Sequence, residues 1–156
     1  MIEVKEIFEA YRSKRRKVIR LTEKLEELNS ENVTSSIILC TYGSGYESRT
    51  EKEAMKIASV KSRLIIAVYD AEKMAFEIMK LLDEMDDPTD ASLIFYRYLM
   101  LYPWDIVNEK MSFLRGGHLY SDKALLGYTR NKALRSFQEV VDSHPKLIKR
   151  IMSITE

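Results

Sequence analysis

Cysteine, proline and glycine are scarce in this chain, and each shortage narrows the range of folds and functions. The 156 residues include one cysteine, three prolines and five glycines. The lone cysteine, Cys40, excludes an internal disulfide and any cysteine-based zinc cluster. Few helix-breaking residues, together with 31% charged residues, favour long helices over sheets. We therefore expect an all-α protein.

The sequence also lacks the features of membrane proteins and of enzymes. No apolar run approaches the roughly 20 residues that cross a bilayer, and no signal-peptide pattern is present. With its single cysteine, the chain is expected in a reducing cytoplasm with no membrane partner. His118 and His144 have no ligand-spaced partners, and no carboxylates pair in an apparent pocket. We expect no catalytic residue, no metal and no cofactor.

The formal net charge of +1 hides a strong segregation of charge along the chain. The first basic block comprises Arg12, Lys14, Arg15, Arg16, Lys17 and Arg20, which are interpreted as a solvated helix face. The second comprises Lys123, Arg130, Lys132, Arg135, Lys146, Lys149 and Arg150. The acidic residues between them are Glu72, Glu77, Asp83, Glu84, Asp86, Asp87 and Asp90. Such segregation can keep a nucleic-acid-binding face positive on a nearly neutral protein.

Residues 1–87 are predicted to form a long helical hairpin with a loop at residues 30–50. The heptad core positions of the first helix are Val4, Ile7, Tyr11, Lys14, Val18, Leu21, Leu25 and Leu28. Those of the second are Ala54, Ile57, Lys61, Leu64, Val68, Ala71, Ala75, Ile78, Leu82 and Met85. Both stripes are typical of a coiled coil. Ile65, Phe76, Met79 and Leu81 widen the second apolar face, which needs a further partner: either the rest of the chain or another subunit.

Residues 88–156 are predicted to form a helix-turn-helix region. Pro88 stops the second long helix, and Thr89 or Asp90 caps the next one, which ends near Leu101. Pro103 opens a short helix with Trp104, Ile106, Val107 and Met111 on its buried face. Ser121 or Asp122 caps the last predicted helix. Its buried stripe is Leu126, Ala133, Leu134, Phe137, Val140 and Val141. Tyr128 is assigned to the core, and contact with a thymine methyl group is the alternative.

The segment from Phe113 to Tyr120 separates the last two of these helices. The segment is predicted to form an extended turn or a small β-hairpin, since its two apolar arms around Gly116 and Gly117 suit a hairpin. A hairpin of this kind would form a wing that lays Arg115 and His118 on the phosphates of a nucleic acid.

Three stretches of the last third resemble a known family: Arg97-Tyr98-Leu99, Trp104-Asp105-Ile106-Val107 and Lys132-Ala133-Leu134-Arg135-Ser136-Phe137. They resemble region four of sigma factors, and more closely the ArpU and RinA type of sigma-like transcription regulators of phages and prophages. The resemblance implies that the second helix of the helix-turn-helix braces DNA and the third enters the major groove. The 113–120 segment departs from it, because it is longer than the usual tight turn.

Under this resemblance, the DNA contacts carried over are Lys123, Arg130 and Asn131. Arg130 and Asn131 have paired hydrogen-bonding groups that match guanine and adenine edges, whereas Lys123 and Lys132 suit phosphate. Gly127 is costly inside a helix, and a close approach to a DNA backbone or a neighbouring helix would explain it. Arg135 and Arg115 complete the candidate DNA-binding set.

Three functions fit these features. The first is a sequence-specific DNA-binding transcription regulator of phage or prophage genes, whose front hairpin serves oligomerisation or contact with host RNA polymerase. The second is a small terminase subunit, which also combines a helix-turn-helix with coiled-coil helices and assembles into rings. The third is a helical adaptor or inhibitor that acts on a protein partner without binding DNA. The third hypothesis stays open because a DNA-binding protein usually carries a clear basic excess, and the net charge here is only +1.

Overall fold

The computed structural model describes the backbone of residues 2–39 and 46–154 and, apart from residues 31–50 and 122, their side chains. The first two helices are α1, Val4–Leu39, and α2, Tyr46–Asp83. Four shorter helices follow, and the described residues contain no strand. The prediction of an all-α fold with a long helical pair is confirmed.

Two of the shorter helices contain a π-helical turn. The helix α3 is Pro88–Ile94 and continues as the π turn Phe95–Leu99, and α4 is Trp104–Leu114. The helix α5 comprises Asp122–Ala124, the π turn Leu125–Thr129 and Arg130–Ser143. The last helix, α6, is Pro145–Ser153.

The long helices leave less room for a loop than the sequence predicted. The loop was expected at residues 30–50, but α1 continues to Leu39 and α2 begins at Tyr46. Residues 31–39 contain no glycine or proline, and lengthening an existing helix avoids the cost of nucleation. The remaining part of that prediction, residues 40–45, lies outside the described residues.

The chain divides into two compact units, and the division differs from the predicted boundary at residue 87. One unit consists of Met1–Arg12 and Glu72–Glu156, and the other of Ser13–Ala71. The end of α2 therefore belongs with the C-terminal helices, because its apolar side chains are buried among theirs.

The unit Ser13–Ala71 is a pair of antiparallel helices with a small core. Leu21, Val60 and Ala67 are buried in it. Two core positions predicted for α2 hold in this unit, since Ala71 is buried and Leu64 packs against the core. Val60 and Ala67 are also buried, although they were not predicted. Lys61, a predicted core position, is exposed, because a charge costs least in water. Lys14, at a predicted core position of α1, pairs with Asp70 at 3.5 Å.

The unit Met1–Arg12 with Glu72–Glu156 has a larger core, to which α1, α2 and all four shorter helices contribute. Its largest fully buried side chains are Phe137, Ile7, Met74, Ile78, Leu81, Leu93, Ile94, Met111, Leu125, Ile151 and Val107. The helix α3 packs against both α4 and α5. These three helices therefore form one packed group around a shared core.

The connection between α2 and α3 is capped differently from the prediction. The helix α2 ends at Asp83, and Pro88 is the first residue of α3. Asp87 is the N-cap, because its Oδ1 accepts hydrogen bonds from the backbone N–H of Thr89 at 2.9 Å and of Asp90 at 3.4 Å. Thr89 and Asp90, the predicted caps, lie inside the first turn.

The π turn of α5 changes which side chains reach the core. Leu125 and Thr129 are buried, whereas Leu126 is 42% exposed and Tyr128 is 78% exposed. The predictions of Leu126 and Tyr128 as core residues are therefore wrong. A π turn inserts about one extra residue into the helical repeat. Ordinary helical spacing counted back from Ala133 therefore predicts Leu126 in the core, whereas Leu125 is the buried residue.

The predicted wing between α4 and α5 is absent, since no strand forms at residues 113–120. The helix α4 extends to Leu114, and a turn follows with positive φ angles of 68° at Gly116 and 92° at Gly117. The Asn108 side chain then holds Tyr120, accepting from its N–H at 3.0 Å and donating to its carbonyl at 2.9 Å. This side chain satisfies the backbone groups that a strand partner would have paired.

Candidate nucleic-acid interface

One face of α5 is exposed and carries no carboxylate from Lys123 to Arg135. Lys123, Gly127, Asn131 and Arg135 follow one another at four-residue spacing, and all of them are exposed. We call these four residues the exposed row. A second row with the same four-residue spacing is offset from the exposed row by two residues. It consists of the buried residues Leu125, Thr129, Ala133, Phe137 and Val141. Because two residues correspond to slightly more than half a helical turn, the exposed row lies opposite the core.

Hydrogen bonds made by polar side chains fix both ends of α5. Ser121 caps the helix, since its Oγ accepts from the N–H of Ala124 at 3.4 Å, in agreement with the prediction. Near the other end, Gln138 donates to the Ile2 carbonyl at 3.1 Å and accepts from the Val4 N–H at 2.9 Å. The start of α1 is therefore held against α5.

That contact forms a groove beside the exposed row. The groove has a volume of about 590 Å³ and is lined by Glu3, Val4, Lys5, Asn131, Leu134, Arg135 and Gln138. Asn131 and Arg135 thus belong to both the row and the groove. Lys5 adds a further positive charge from α1.

Gly127 has no packing reason among the described residues. A Cβ built on it would meet no atom within 4 Å. The suggestion that it makes room for a neighbouring helix of the chain is therefore wrong. An alanine there would be accepted by the folded protein, so packing within the described residues does not require a glycine at this position.

Arg130 lies at the edge of this face and is half-buried. Its Nη2 donates to Asn131 Oδ1 at 3.5 Å, and its Nε is buried without a hydrogen-bond partner in the described part of the chain.

Lys132 is engaged in ion pairs on another side of α5. Its Nζ lies 2.9 Å from Asp87 Oδ2 and 3.3 Å from Asp90 Oδ2. The hydrogen bond that Lys132 donates to Asp87 raises the pKa of Lys132, and the same bond is the main reason that the pKa of Asp87 is lowered. Asp90 is only 2% exposed. Lys132, predicted as a phosphate contact, thus compensates a buried carboxylate of α3.

Arg115 is held close to the surface rather than extended from a wing. Its guanidinium carbon lies 3.3 Å from the centre of the Tyr120 ring, a cation–π contact. Its three guanidinium nitrogens have no hydrogen-bond partner among the described residues. His118, the other predicted wing residue, is exposed.

The sequence analysis overlooked two arginines whose charges act, with that of Arg130, on the Tyr98 hydroxyl. Arg97 Nη1 donates to the Tyr102 carbonyl at 2.7 Å, and its guanidinium carbon lies 4.7 Å from the centre of the Trp104 ring. Arg12 comes from α1 and was assigned only to a solvated helix face. Sequence spacing could not reveal this arrangement, because the three arginines are far apart in the chain and only the packing of the helices relates them.

No family model, curated protein or solved structure matches this chain. In the described part of the chain, no helix has the length and apolar character needed to span a membrane. The same residues contain no group of three or more histidines, cysteines or acidic residues that could hold a metal ion. The candidate interface is therefore defined by its charge and geometry alone.

Proposed function

We propose that this chain is a sequence-specific, DNA-binding transcription regulator of phage or prophage genes. The observation that carries the proposal is the exposed row of α5, which offers cationic and amide groups and a bare glycine with no intervening carboxylate. A helix with such a face can enter a major groove, where arginine and asparagine side chains recognise base edges. The resemblance to sigma region four supplies the regulatory and phage context.

The packing of α5 supports this role. Both halves of α5 bury one face, and Leu126, Gly127 and Tyr128 in its earlier half are exposed. Recognition helices of helix-turn-helix proteins contact bases through their N-terminal residues. The long 113–120 connection remains a departure from that class.

Two of the predicted DNA contacts have different roles in the proposal. Lys132 pairs with Asp87 and Asp90, so we no longer assign it to phosphate. Arg115 stacks on Tyr120 and is likewise left outside the base-reading set. Lys123 and Arg135 supply phosphate contacts, and Arg130 and Asn131 read bases.

The proposal is tested by titrating the protein with duplex fragments adjoining its own gene and with a scrambled duplex. Asn131→Ala should reduce the preference for the specific fragment by about 1–3 kcal/mol, because one base contact is lost. Asn29→Ala, an exposed asparagine of α1, is the matched control and should change nothing. Equal binding of both duplexes by the unaltered protein would contradict sequence-specific recognition.

A specific observation supports a second candidate function, a helical adaptor that binds a protein. Phe113 is 88% exposed, Leu119 is 68% exposed and Leu114 is also exposed, which together give the 113–120 segment an apolar surface. Exposed apolar clusters often mark protein interfaces. This candidate predicts that Phe113→Ser reduces activity in the native host while the affinity for every duplex stays negligible.

A homo-oligomer through the front helices, or a contact of those helices with host RNA polymerase, belongs to the same proposal. Ile65 and Tyr69 of α2 are exposed apolar residues in the unit Ser13–Ala71. Their exposure supports a partner for that helix pair. Native mass measured by light scattering distinguishes a dimer from the ring expected of a small terminase subunit.

A further inference from the structure

An aromatic stack brings three helices together near the candidate interface. The ring of Phe8 in α1 lies 5.5 Å from that of Phe137 in α5 and 4.4 Å from that of Tyr98, between ring centres. Both pairs are stacked with an interplanar angle of 15°. The hydroxyl of Tyr11 also donates to the Leu99 carbonyl at 3.2 Å, which holds α1 against the π turn after α3.

One arginine from each helix extends from this stack. Arg12 follows Phe8 by four residues, Arg130 precedes Phe137 by seven, and Arg97 adjoins Tyr98. Residues four or seven apart share a helix face, so Arg12 and Arg130 lie on the faces that carry the stacked rings. All three arginines are half-buried. We call them the arginine cluster.

The arginine cluster has no carboxylate to neutralise it. Among the described residues, no ion pair joins Arg12, Arg97 or Arg130 to an acidic side chain. The backbone carbonyl of Tyr102 accepts only one of the N–H groups of Arg97. Half-buried guanidinium groups normally lie beside an acidic partner, because leaving their charge uncompensated costs free energy.

The electrostatics of Tyr98 agree with this arrangement. Burial raises the pKa of its hydroxyl, while the positive charges of Arg130, Arg97 and Arg12 oppose the increase. The charges of all three guanidinium groups therefore reach the Tyr98 hydroxyl. The Tyr98 hydroxyl remains protonated at neutral pH and can donate a hydrogen bond.

We propose that Arg12, Arg97 and Arg130 form a binding site for a phosphate group. Guanidinium groups present paired N–H donors that match phosphate oxygens, and phosphate supplies the negative charge that the cluster lacks. The guanidinium groups contact it, and the Nε of Arg130 has no hydrogen-bond partner among the described residues. The phosphate belongs either to a nucleic-acid backbone or to a small phosphorylated compound.

The site rests on the proposed function and revises one part of it, because Arg130 then contacts phosphate, and Asn131, which accepts a hydrogen bond from it at 3.5 Å, is left as the base reader. If the ligand is DNA, the cluster holds one backbone phosphate beside the recognition helix. If the ligand is a small phosphorylated compound, it binds to the same guanidinium groups in the absence of DNA.

Calorimetric titration of the unaltered protein with pyrophosphate and with a short duplex of scrambled sequence tests the site. The double variant Arg12→Gln and Arg130→Gln is compared with a control, Arg16→Gln and Arg20→Gln, in which two exposed arginines of α1 are replaced. Circular dichroism and the melting temperature establish that both variants are folded. The unaltered protein should bind at least one of the two probes.

For a backbone phosphate, the double variant should lower the slope of log affinity for the duplex against log salt by about 0.9, as expected for one lost phosphate contact. For a small compound, pyrophosphate binding should fall at least tenfold in the double variant, with any duplex binding unchanged. The control should match the unaltered protein in both arms.

The proposal is overturned if the unaltered protein binds neither probe, or if the folded double variant binds both as the control does. Should the double variant fail to fold, Arg12→Gln alone replaces it, because Arg12 is not part of the α5 core. Pyrophosphate binding without duplex binding would support the phosphate site and contradict the proposed DNA function.

Discussion

The two compact units of this protein use the same long helices in different ways. In Ser13–Ala71, the described side chains of α1 and α2 form a small core around Leu21, Val60 and Ala67. In Met1–Arg12 with Glu72–Glu156, the ends of the same helices join four further helices around a large core. Local stability follows the number of buried apolar contacts. We therefore expect the helix pair to open at a lower free energy than the C-terminal unit, which carries the candidate interface.

The largest effect should come from the larger core. Phe137→Ala removes a fully buried ring that stacks on Phe8, and it should cost about 3–5 kcal/mol of unfolding free energy. Urea denaturation measures the loss. A loss below 1 kcal/mol would mean that the two units do not differ as described.

A smaller effect is expected in the helix pair. Leu21→Ala removes one of its few buried side chains and should cost about 2 kcal/mol, at the low end for such a change, because a sparse core relaxes easily. Hydrogen exchange should show the loss of protection at residues 13–30 while α5 stays protected. Equal loss of protection in α5 would show that the two units unfold together.

Replacing Lys132 tests whether this basic residue of α5 stabilises the fold or contacts DNA. Lys132→Ala leaves the buried Asp90 without its cationic partner, so the melting temperature should fall while the affinity for duplex DNA changes little. Adding Asp90→Asn should recover part of the loss, since the uncompensated charge is then removed. A fall in DNA affinity at an unchanged melting temperature would return Lys132 to the interface.

The same ion pair predicts a dependence of stability on pH. The pKa of Asp87 is lowered in the folded protein, chiefly by the hydrogen bond from Lys132, with the Thr89 N–H as a further donor. The folded state therefore binds this proton less tightly than the unfolded state. Its stabilising contribution is present above the ordinary aspartate pKa and is lost as pH falls through the lowered value.

Melting temperatures of the unaltered protein and of Asp87→Asn, measured from pH 7 to pH 2, check this contribution. The difference between the two proteins should shrink as the solution becomes acidic. Because Asp87 is substantially exposed, the effect at neutral pH should be modest. A difference that stays constant over the whole range would exclude the ionised carboxylate as its cause.

The smallest stability effect should come from Gly127, and it separates folding from binding. Gly127→Ala meets no atom within 4 Å and should increase the unfolding free energy by about 0.5–1 kcal/mol through helix propensity. The added methyl group should nevertheless weaken DNA binding by obstructing close approach. Unchanged affinity would leave the glycine without a role in the interface.

The elements that follow from local sequence were predictable. Helical spacing identified the α1 stripe, Pro103 marked the start of α4, and Ser121 was recognised as a cap of α5. Each of these depends on residues that are close in the chain. The exposure of Lys123, Asn131 and Arg135 likewise followed from the helical period.

The features that the sequence did not reveal depend on tertiary structure. The π turn of α5 moves Leu126 and Tyr128 out of the core, and no local signal marks such an insertion. The pairing of Lys132 with Asp87 and Asp90 joins residues more than forty positions apart. The arginine cluster needs α1, α3 and α5 together. Long-range packing decides all three, and the helical period contains no information about it.

The salt dependence of duplex binding by Lys123→Ala with Arg135→Ala tests the central claim most directly. The unaltered protein should bind duplex DNA with log affinity falling steeply against log salt, because phosphate contacts release counterions. The double variant should lower that slope by about 1.8, whereas the control Lys146→Ala with Lys149→Ala, on α6, should leave it unchanged. An identical slope for all three proteins, or no duplex binding by the unaltered protein, would contradict the assignment of the exposed row to DNA.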